Sequence, residues 1–86
     1  MKIYEKKGIE KAFQGNENIE NKYNIWLNLI ERDGIECHQK HKGFKFKKLS
    51  GKRENQYSIR LNKSWRVIFE IKEDYIYIIE ITNHEY

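Results

Sequence analysis

The chain has 86 residues, of which 38% are hydrophobic, 14% aromatic and 35% charged, and its formal net charge is +4. This length predicts one domain, residues 1–86, with a small core that depends on large aromatic rings. The chain has no apolar run long enough to cross a bilayer and no signal-type start, and its single cysteine, Cys37, cannot form an internal disulfide. We therefore expect a cytoplasmic protein with no membrane partner.

Positive charge is concentrated between His38 and Phe69. This stretch contains ten lysines and arginines against one glutamate, a net charge of +9, and the rest of the chain carries −5. Segregated charge of one sign repels itself unless an anion neutralises it. A solvated lysine-rich loop would explain residues 40–48, but it does not explain Arg60 and Arg66, which lie within strand patterns.

The first half of the chain predicts helices. Residues 1–4 fit a short strand or an irregular lead, and residues 8–13 fit one or two helical turns. From Glu17 to Asp33, apolar residues recur at spacings of three and four, which predicts a helix with one apolar face that ends at Gly34. Residues 35–43 are polar and predict a loop.

The second half predicts an antiparallel sheet. Residues 45–49 are a candidate short strand, and alternating apolar residues predict strands over 57–61, 65–71 and 75–81. If all odd-numbered apolar residues share the core face, Leu61 lies opposite Trp65 and Ile71 lies opposite Tyr75. Both hairpins then have three-residue loops, which is a common length.

This register predicts what the opposite, even-numbered face carries. Arg60 lies opposite Arg66, and Arg66 lies opposite Glu80 on the last strand. If that strand continues, His84 and Tyr86 emerge on the same face. In a twisted sheet these residues would form a concave basic surface.

A run of motifs between residues 49 and 71 resembles one protein family. The segment LSGKRENQYSIRLNKSWRVIFEI contains Leu-x-Gly, an aromatic-Ser-Ile-Arg strand and a Trp-Arg-Val-x-Phe strand in that order. It is similar to the HigB-type branch of the RelE/ParE toxins, and the tail, residues 80–86, resembles their short tails with His and Tyr. The resemblance covers about half of the chain. It implies an α+β fold with two N-terminal helices packed on a twisted antiparallel β-sheet.

The resemblance also implies a function and partners. It implies the toxin of a type II toxin–antitoxin system that cleaves mRNA on the ribosome without a metal or another cofactor. It implies a cognate antitoxin with a helix-turn-helix or similar DNA-binding domain, so that the toxin would meet DNA only through the antitoxin. Lys47 and Ser50 stand where relatives often have His and Lys. The alternatives are a ParE-like inhibitor of DNA gyrase without nuclease activity, and a catalytically silent binding protein.

Metal-free RNA cleavage defines the roles that candidate residues could fill. The 2′-hydroxyl attacks the neighbouring phosphate, which requires a base, a cation for the developing charge and an acid for the leaving oxygen. Arg66 is the candidate cation, although a cross-strand ion pair with Glu80 would also explain it. His84 is a candidate acid or base, unless it belongs to a frayed tail. Lys47 can transfer a proton or contact phosphate, and Tyr86 can stack on a base or donate a proton.

The remaining basic residues are assigned to the RNA backbone. The residues predicted to bind RNA are Lys40, Lys42, Lys45, Lys48, Lys52, Arg53 and Arg60. Cys37, His38 and His41 suggest a zinc site, but they lack the second ligand pair that a structural site needs, so no metal site is predicted.

Overall fold

The computed structural model describes residues 1–84. Its main helix, α1, spans Glu17–Asp33, and a single turn, α2, spans Cys37–Lys40. Four short 3₁₀ segments lie at Ile9–Phe13, Gly34–Glu36, Lys42–Phe44 and Gly51–Arg53. The strands are β1 (Lys2–Glu5), β2 (Lys47–Lys48), β3 (Tyr57–Arg60), β4 (Arg66–Ile71) and β5 (Tyr75–Thr82), which form one sheet in the order β1-β5-β4-β3-β2. No helix within residues 1–84 has the length and apolar character needed to cross a membrane.

Helix α1 has the predicted bounds and the predicted apolar face. Ile19, Tyr23, Trp26 and Ile30 are buried against the sheet side of the molecule. The helix ends at Gly34, whose φ of 72° is a conformation that favours glycine, and the Gly34 N–H donates to the Ile30 carbonyl. The sequence prediction for this element is confirmed.

The prediction of two N-terminal helices is wrong, because only α1 is a long helix. The preceding segment, Ile9–Phe13, forms a 3₁₀ turn that buries Ile9 and Phe13. Gly15, with a φ of 73°, then separates this turn from α1.

The segment predicted as a polar loop, 35–43, instead contains α2 and parts of two 3₁₀ turns. Cys37 and His38 are buried there, and burial raises the pKa of the Cys37 thiol. Nε2 of His38 accepts a hydrogen bond of 2.9 Å from the Trp26 indole, and its Nδ1 lies 2.8 Å from the Ile35 carbonyl. The histidine therefore acts as a core residue, which the polar composition of the segment concealed.

The sheet is mixed rather than antiparallel. Strand β1 pairs in parallel with β5, with Lys2 opposite Tyr75 and Glu5 opposite Ile78. The other strand pairs are antiparallel. A parallel partner so distant in the chain leaves no turn signal in the sequence, so the antiparallel prediction is corrected for this strand.

The predicted register is correct for the first hairpin and wrong for the second. In the first, Arg60 lies opposite Arg66 and the Leu61 N–H donates to the Trp65 carbonyl, so the predicted three-residue loop is confirmed. In the second, Ile71 lies opposite Ile76 rather than Tyr75.

A β-bulge follows in the second hairpin, because Phe69 pairs with Ile78 while Ile68 pairs with Glu80. Ile79 is therefore the extra residue on β5. The buried core positions of β5 are Ile76, Ile78 and Ile81, so the predicted core role of Tyr75, Tyr77 and Ile79 is wrong.

Aromatic rings connect α1 to the sheet through the segment that was predicted as a loop. The His38 ring stacks on Phe46 at 4.2 Å between centroids, and Phe46 stacks on Tyr57 at 5.6 Å. On the other side, Trp26 packs against Phe69 at 5.0 Å. These five rings are called the aromatic stack below.

The geometry of His38 predicts a pH-dependent stability. Its Nε2 accepts from Trp26, so the ring is neutral with the proton on Nδ1, and burial lowers the pKa of His38 from its ordinary value. At low pH, His38 is therefore protonated more readily in the unfolded chain than in the native state. The native state loses stability relative to the unfolded chain as pH falls below about 6.5. We expect urea unfolding to show a lower free energy at pH 5.5 than at pH 7.5.

The matched variant is His38→Gln, whose amide oxygen can accept from Trp26 but does not titrate. The loss of stability between the two pH values should be smaller in this variant than in the wild type, by up to about 1.4 kcal/mol for each unit of lowered pKa. Equal losses in the two proteins would contradict the assignment.

Candidate nucleic-acid interface

Two rows of side chains cross the face of the sheet that α1 does not cover. The first row consists of Arg60 on β3, Arg66 on β4 and Thr82 on β5, paired strand to strand. The second row consists of Lys47, Ser58, Ile68 and Glu80. Residues paired directly across antiparallel strands share a face, and so do residues two apart on one strand. These two rows are called the basic face below.

Arg66 is a buried cation at the centre of the basic face. It is 7% exposed, and among residues 1–84 it has no ion pair and no side-chain hydrogen bond. Every fully buried side-chain nitrogen or oxygen of the described residues has a hydrogen-bond partner. The Arg66 nitrogens have none there, so they must be accessible to solvent. A buried unpaired charge is costly, and Arg60 directly opposite adds repulsion. The pair of arginines is therefore suited to bind an anion and is called the anion site below.

The predicted cross-strand contact between Arg66 and Glu80 is wrong. The register of the second hairpin and the bulge in β5 each shift the pairing by one residue, so that Arg66 lies opposite Thr82 and Glu80 lies opposite Ile68. The Glu80 carboxylate instead meets Arg53 at 3.4 Å. This removes the structural explanation for Arg66 and leaves its guanidinium available to a phosphate, which it can contact with two parallel hydrogen bonds.

A basic cleft adjoins this row at the β2 edge of the sheet. It has a volume of roughly 330 Å³ and is formed by β2 and the turn that follows it. Its basic residues are Lys47, Lys48, Lys52 and Arg53. Arg53 is held in place by a hydrogen bond of 2.8 Å to the Gln56 side chain. The structure thus brings four of the predicted basic residues together.

The other predicted lysines lie elsewhere. Lys42 and Lys45 line a separate depression beside His38 and Phe46, and Lys40 lines another beside Asp33. The charge run 40–48 therefore divides among different surfaces. The prediction that these three lysines bind RNA stays a prediction.

The end of the chain continues past the anion site. His84 is exposed, lies two residues beyond Thr82, and its backbone N–H donates to the Thr82 hydroxyl at 3.1 Å. This places the backbone of His84 beside Thr82 at the β5 end of the arginine row, but β5 ends at Thr82 and does not continue to His84 as the alternation assumed, so the role of His84 stays a prediction. Tyr86, the other predicted terminal residue, lies outside the described residues.

The residues that suggested a zinc site do not form a metal-binding cluster in the described part of the chain. No group of three His, Cys, Asp or Glu residues within 1–84 could hold a metal ion. Both ring nitrogens of His38 are engaged with Trp26 and Ile35, and Cys37 is a buried thiol. These residues serve the core.

Two buried polar residues of the face were not singled out as site residues from the sequence. Ser58 and Thr82 are 2% and 6% exposed, and they neighbour the basic residues in the two rows. Polar residues at alternating strand positions between cations are the sequence signal that could have identified them.

Comparison with solved structures identifies the class of protein to which this fold belongs. The chain is similar to the toxin in the heterotetrameric YoeB–YefM toxin–antitoxin complex from Staphylococcus aureus, with a TM-score of 0.74 and 25% identity over 99% of this chain and 98% of that one. It is also similar to YafQ from Escherichia coli strain BL21(DE3), with a TM-score of 0.78 and 12% identity over 95% and 91%. The fold is that of the RelE-like toxins.

The family follows from the sequence comparison. Residues 2–84 match the family described as the RelE-like toxin of the type II toxin–antitoxin system HigB. The chain belongs to this HigB-like toxin family. A comparison with curated proteins finds no match. Membership confirms the predicted resemblance and favours the mRNA-interferase function over the ParE-like alternative.

Proposed function

We propose that this toxin cleaves mRNA on the ribosome without a catalytic metal and that Arg66 supplies the positive charge for the reaction. The observation that carries the proposal is Arg66, a residue that is only 7% exposed and has no partner for its guanidinium among residues 1–84. With Arg60 directly opposite, it offers two guanidinium groups to one phosphodiester. A preorganised cation of this kind stabilises charge that develops in the transition state.

The reaction conserves atoms and protons without another reagent. The ribose 2′-oxygen attacks the adjacent phosphorus while a base accepts the 2′-hydroxyl proton. The bond from phosphorus to the 5′-oxygen of the next nucleotide breaks, and an acid protonates that oxygen. The products are a 2′,3′-cyclic phosphate and a 5′-hydroxyl end. Lys47, His84 and Tyr86 are the candidates for the base and the acid.

The partners proposed for this chain are the ribosome, its bound mRNA and a cognate antitoxin. Solved relatives are described as toxin–antitoxin complexes, namely YoeB–YefM from S. aureus and DinJ–YafQ from E. coli; the chain is 14% identical to the second, with a TM-score of 0.76 over 95% of this chain and 90% of that one. Because Arg60 and Arg66 have no anionic partner among residues 1–84, an anionic cover would stabilise the basic face when no RNA is present. An antitoxin with acidic segments would meet that need, and a DNA-binding domain of the antitoxin would give the toxin its link to DNA.

The chemistry predicts the ends of the cleaved mRNA. In purified translation reactions, we expect cuts only when ribosomes are present, and we expect cyclic-phosphate and 5′-hydroxyl ends. An mRNA with a single 2′-deoxy nucleotide on the 5′ side of the cut should resist cleavage there, because the nucleophile is missing. Primer extension and end-labelling of the fragments measure both results.

Several outcomes would contradict the proposal. A cut at the 2′-deoxy position, or fragments with 5′-phosphate ends, would indicate attack by water instead. Intact mRNA together with inhibited supercoiling by DNA gyrase would support the ParE-like alternative.

A further inference from the structure

A second basic groove lies near the β1–β5 edge of the sheet, whereas the cleft described above lies at the β2 edge. Strand β1 ends at Glu5, opposite Ile78, and the Lys6 N–H donates to the Ile78 carbonyl at 2.9 Å. Beyond this point the chain leaves β5 and enters the 3₁₀ turn Ile9–Phe13. The gap between that turn and the end of β5 is a groove of roughly 430 Å³. It is called the N-terminal groove below.

The N-terminal groove is positively charged. Lys6, Lys7 and Lys11 line it, are exposed, and form no ion pair among residues 1–84. The carboxylate that lines the groove in the described part of the chain belongs to Glu80, which already meets Arg53. Three cations against one neutralised anion make a surface that attracts a polyanion.

The groove adjoins the basic face and shares Glu80 and Thr82 with it. Thr82 lines the groove and is the strand partner of Arg66, while Asn83 lines it and precedes His84. An RNA strand with one phosphate bound at Arg66 would therefore pass over the end of β5 and enter the groove. The basic cleft at β2 lies on the other side of the arginine row and would hold the other flank.

Trp65 gives the groove a flat apolar wall. Its ring is half-buried, packs on the core with one part and lines the groove with another. An aromatic side chain beside a row of cations is the combination that binds single-stranded nucleic acid, with the base stacked on the ring and the phosphates on the cations. An acidic peptide would use the lysines but has no planar base for the tryptophan.

We propose that the N-terminal groove binds the mRNA strand on one side of the scissile phosphate, with its backbone on Lys6, Lys7 and Lys11 and one unpaired base on Trp65. This inference rests on the proposed function, because it needs an RNA strand at Arg66. Ribosomal RNA offers the same phosphates. The position of the groove beside the anion site favours the mRNA strand itself.

The test compares two double variants of equal charge. Lys7→Gln with Lys11→Gln removes groove cations, and Lys2→Gln with Lys22→Gln removes two exposed lysines outside the groove. Fluorescence anisotropy measures binding of a short labelled oligouridylate over a range of salt concentrations. For the groove variant we expect weaker binding and a salt slope smaller by about 1.4, since each phosphate contact contributes about 0.7 for a single strand. For the control variant we expect a slope close to that of the wild type.

Tryptophan fluorescence provides an independent measurement. Trp26 is fully buried, so quenching by the oligouridylate should come from Trp65 and should disappear in Trp65→Phe. An absence of binding by the wild type, equal slopes in both double variants, or unchanged quenching in Trp65→Phe would overturn the proposal.

Further binding measurements with the groove variant distinguish the possible occupants of the groove and test the two proposals separately. If the groove variant binds the oligouridylate normally but loses affinity for empty ribosomes, the occupant is ribosomal RNA and the proposal fails. If the variant loses affinity only for the antitoxin, the occupant is an acidic peptide and the proposal also fails. Cleavage by the wild type tests the proposed function separately, because the binding assay needs no cut.

Discussion

Replacing Arg66 with glutamine is expected to lower the rate of ribosome-dependent mRNA cleavage by about 100-fold or more, in line with the loss of one preorganised charge-stabilising group. Arg66 is buried without a partner among residues 1–84, and it lies opposite Arg60 on β3, so the described part of the chain provides no structural use for this charge. Arg66→Lys should recover only part of the rate, because an ammonium group cannot contact two phosphate oxygens in the same planar geometry.

The same substitution should leave the folded state at least as stable as before. Removing a buried unpaired cation opposite another arginine relieves repulsion worth about 0.2–1 kcal/mol for a cross-strand pair. Urea unfolding followed by circular dichroism measures this effect. Arg32→Gln is the matched control, since Arg32 lies on α1, exposed and paired with Asp33. If Arg66→Gln lowers stability in parallel with activity, Arg66 has a structural role and the assignment fails.

Replacing Trp26 with alanine is expected to remove most of the stability of the domain. Trp26 is fully buried, packs against Phe69 at 5.0 Å and donates a hydrogen bond to His38. Large-to-small changes of this kind cost about 3–5 kcal/mol, and a buried His38 left without its donor adds about 1–3 kcal/mol. Small domains have only about 5–15 kcal/mol in total.

Ile25→Ala is the control for this prediction. Ile25 is the neighbouring residue on α1 and is 53% exposed, so its replacement should change the unfolding free energy by no more than about 0.5 kcal/mol. Urea titrations of both variants measure the difference. Trp26→Ala with near wild-type stability would show that the aromatic stack does not hold α1 to the sheet.

Electrostatics on the basic face should also shape how the toxin meets its partners. Lys47, Lys48, Lys52 and Arg53 gather beside the arginine row, and the N-terminal groove extends positive charge past β5. A surface of this kind raises the rate of association with RNA and makes binding depend steeply on salt. An antitoxin that covers the arginines would therefore compete directly with RNA.

The most reliable sequence predictions concerned elements with a single clear periodicity. Helix α1 follows from apolar residues at spacings of three and four, which leave one face to bury. The first hairpin follows from strict alternation in β3 and β4 on either side of a short polar loop, and this places Arg60 opposite Arg66. The motifs of residues 49–71 were sufficient to indicate the family.

Predictions were wrong where the sequence allowed two periodicities or where a partner was distant. In β5, Tyr75–Thr82, apolar residues occupy both parities, so alternation cannot choose the register, and the bulge at Ile79 changes it midway. The segment 35–43 has a polar composition, yet Cys37 and His38 are buried, and hydrogen bonds to Trp26 and Ile35 satisfy the His38 ring in the core. Strand β1 finds its parallel partner more than seventy residues along the chain, beyond any local signal.

By itself, the sequence determined one amphipathic helix, one hairpin with paired arginines and a strongly basic stretch between His38 and Phe69. The tertiary structure decided which of these charges remain without a partner. The register of the second hairpin and the bulge in β5 together place Glu80 opposite Ile68 and near Arg53 instead of Arg66, and β1 ends early enough to open a groove beside Lys6 and Lys7. The reason is physical: periodicity specifies which face a side chain occupies, but only long-range packing specifies which opposite charge lies within reach.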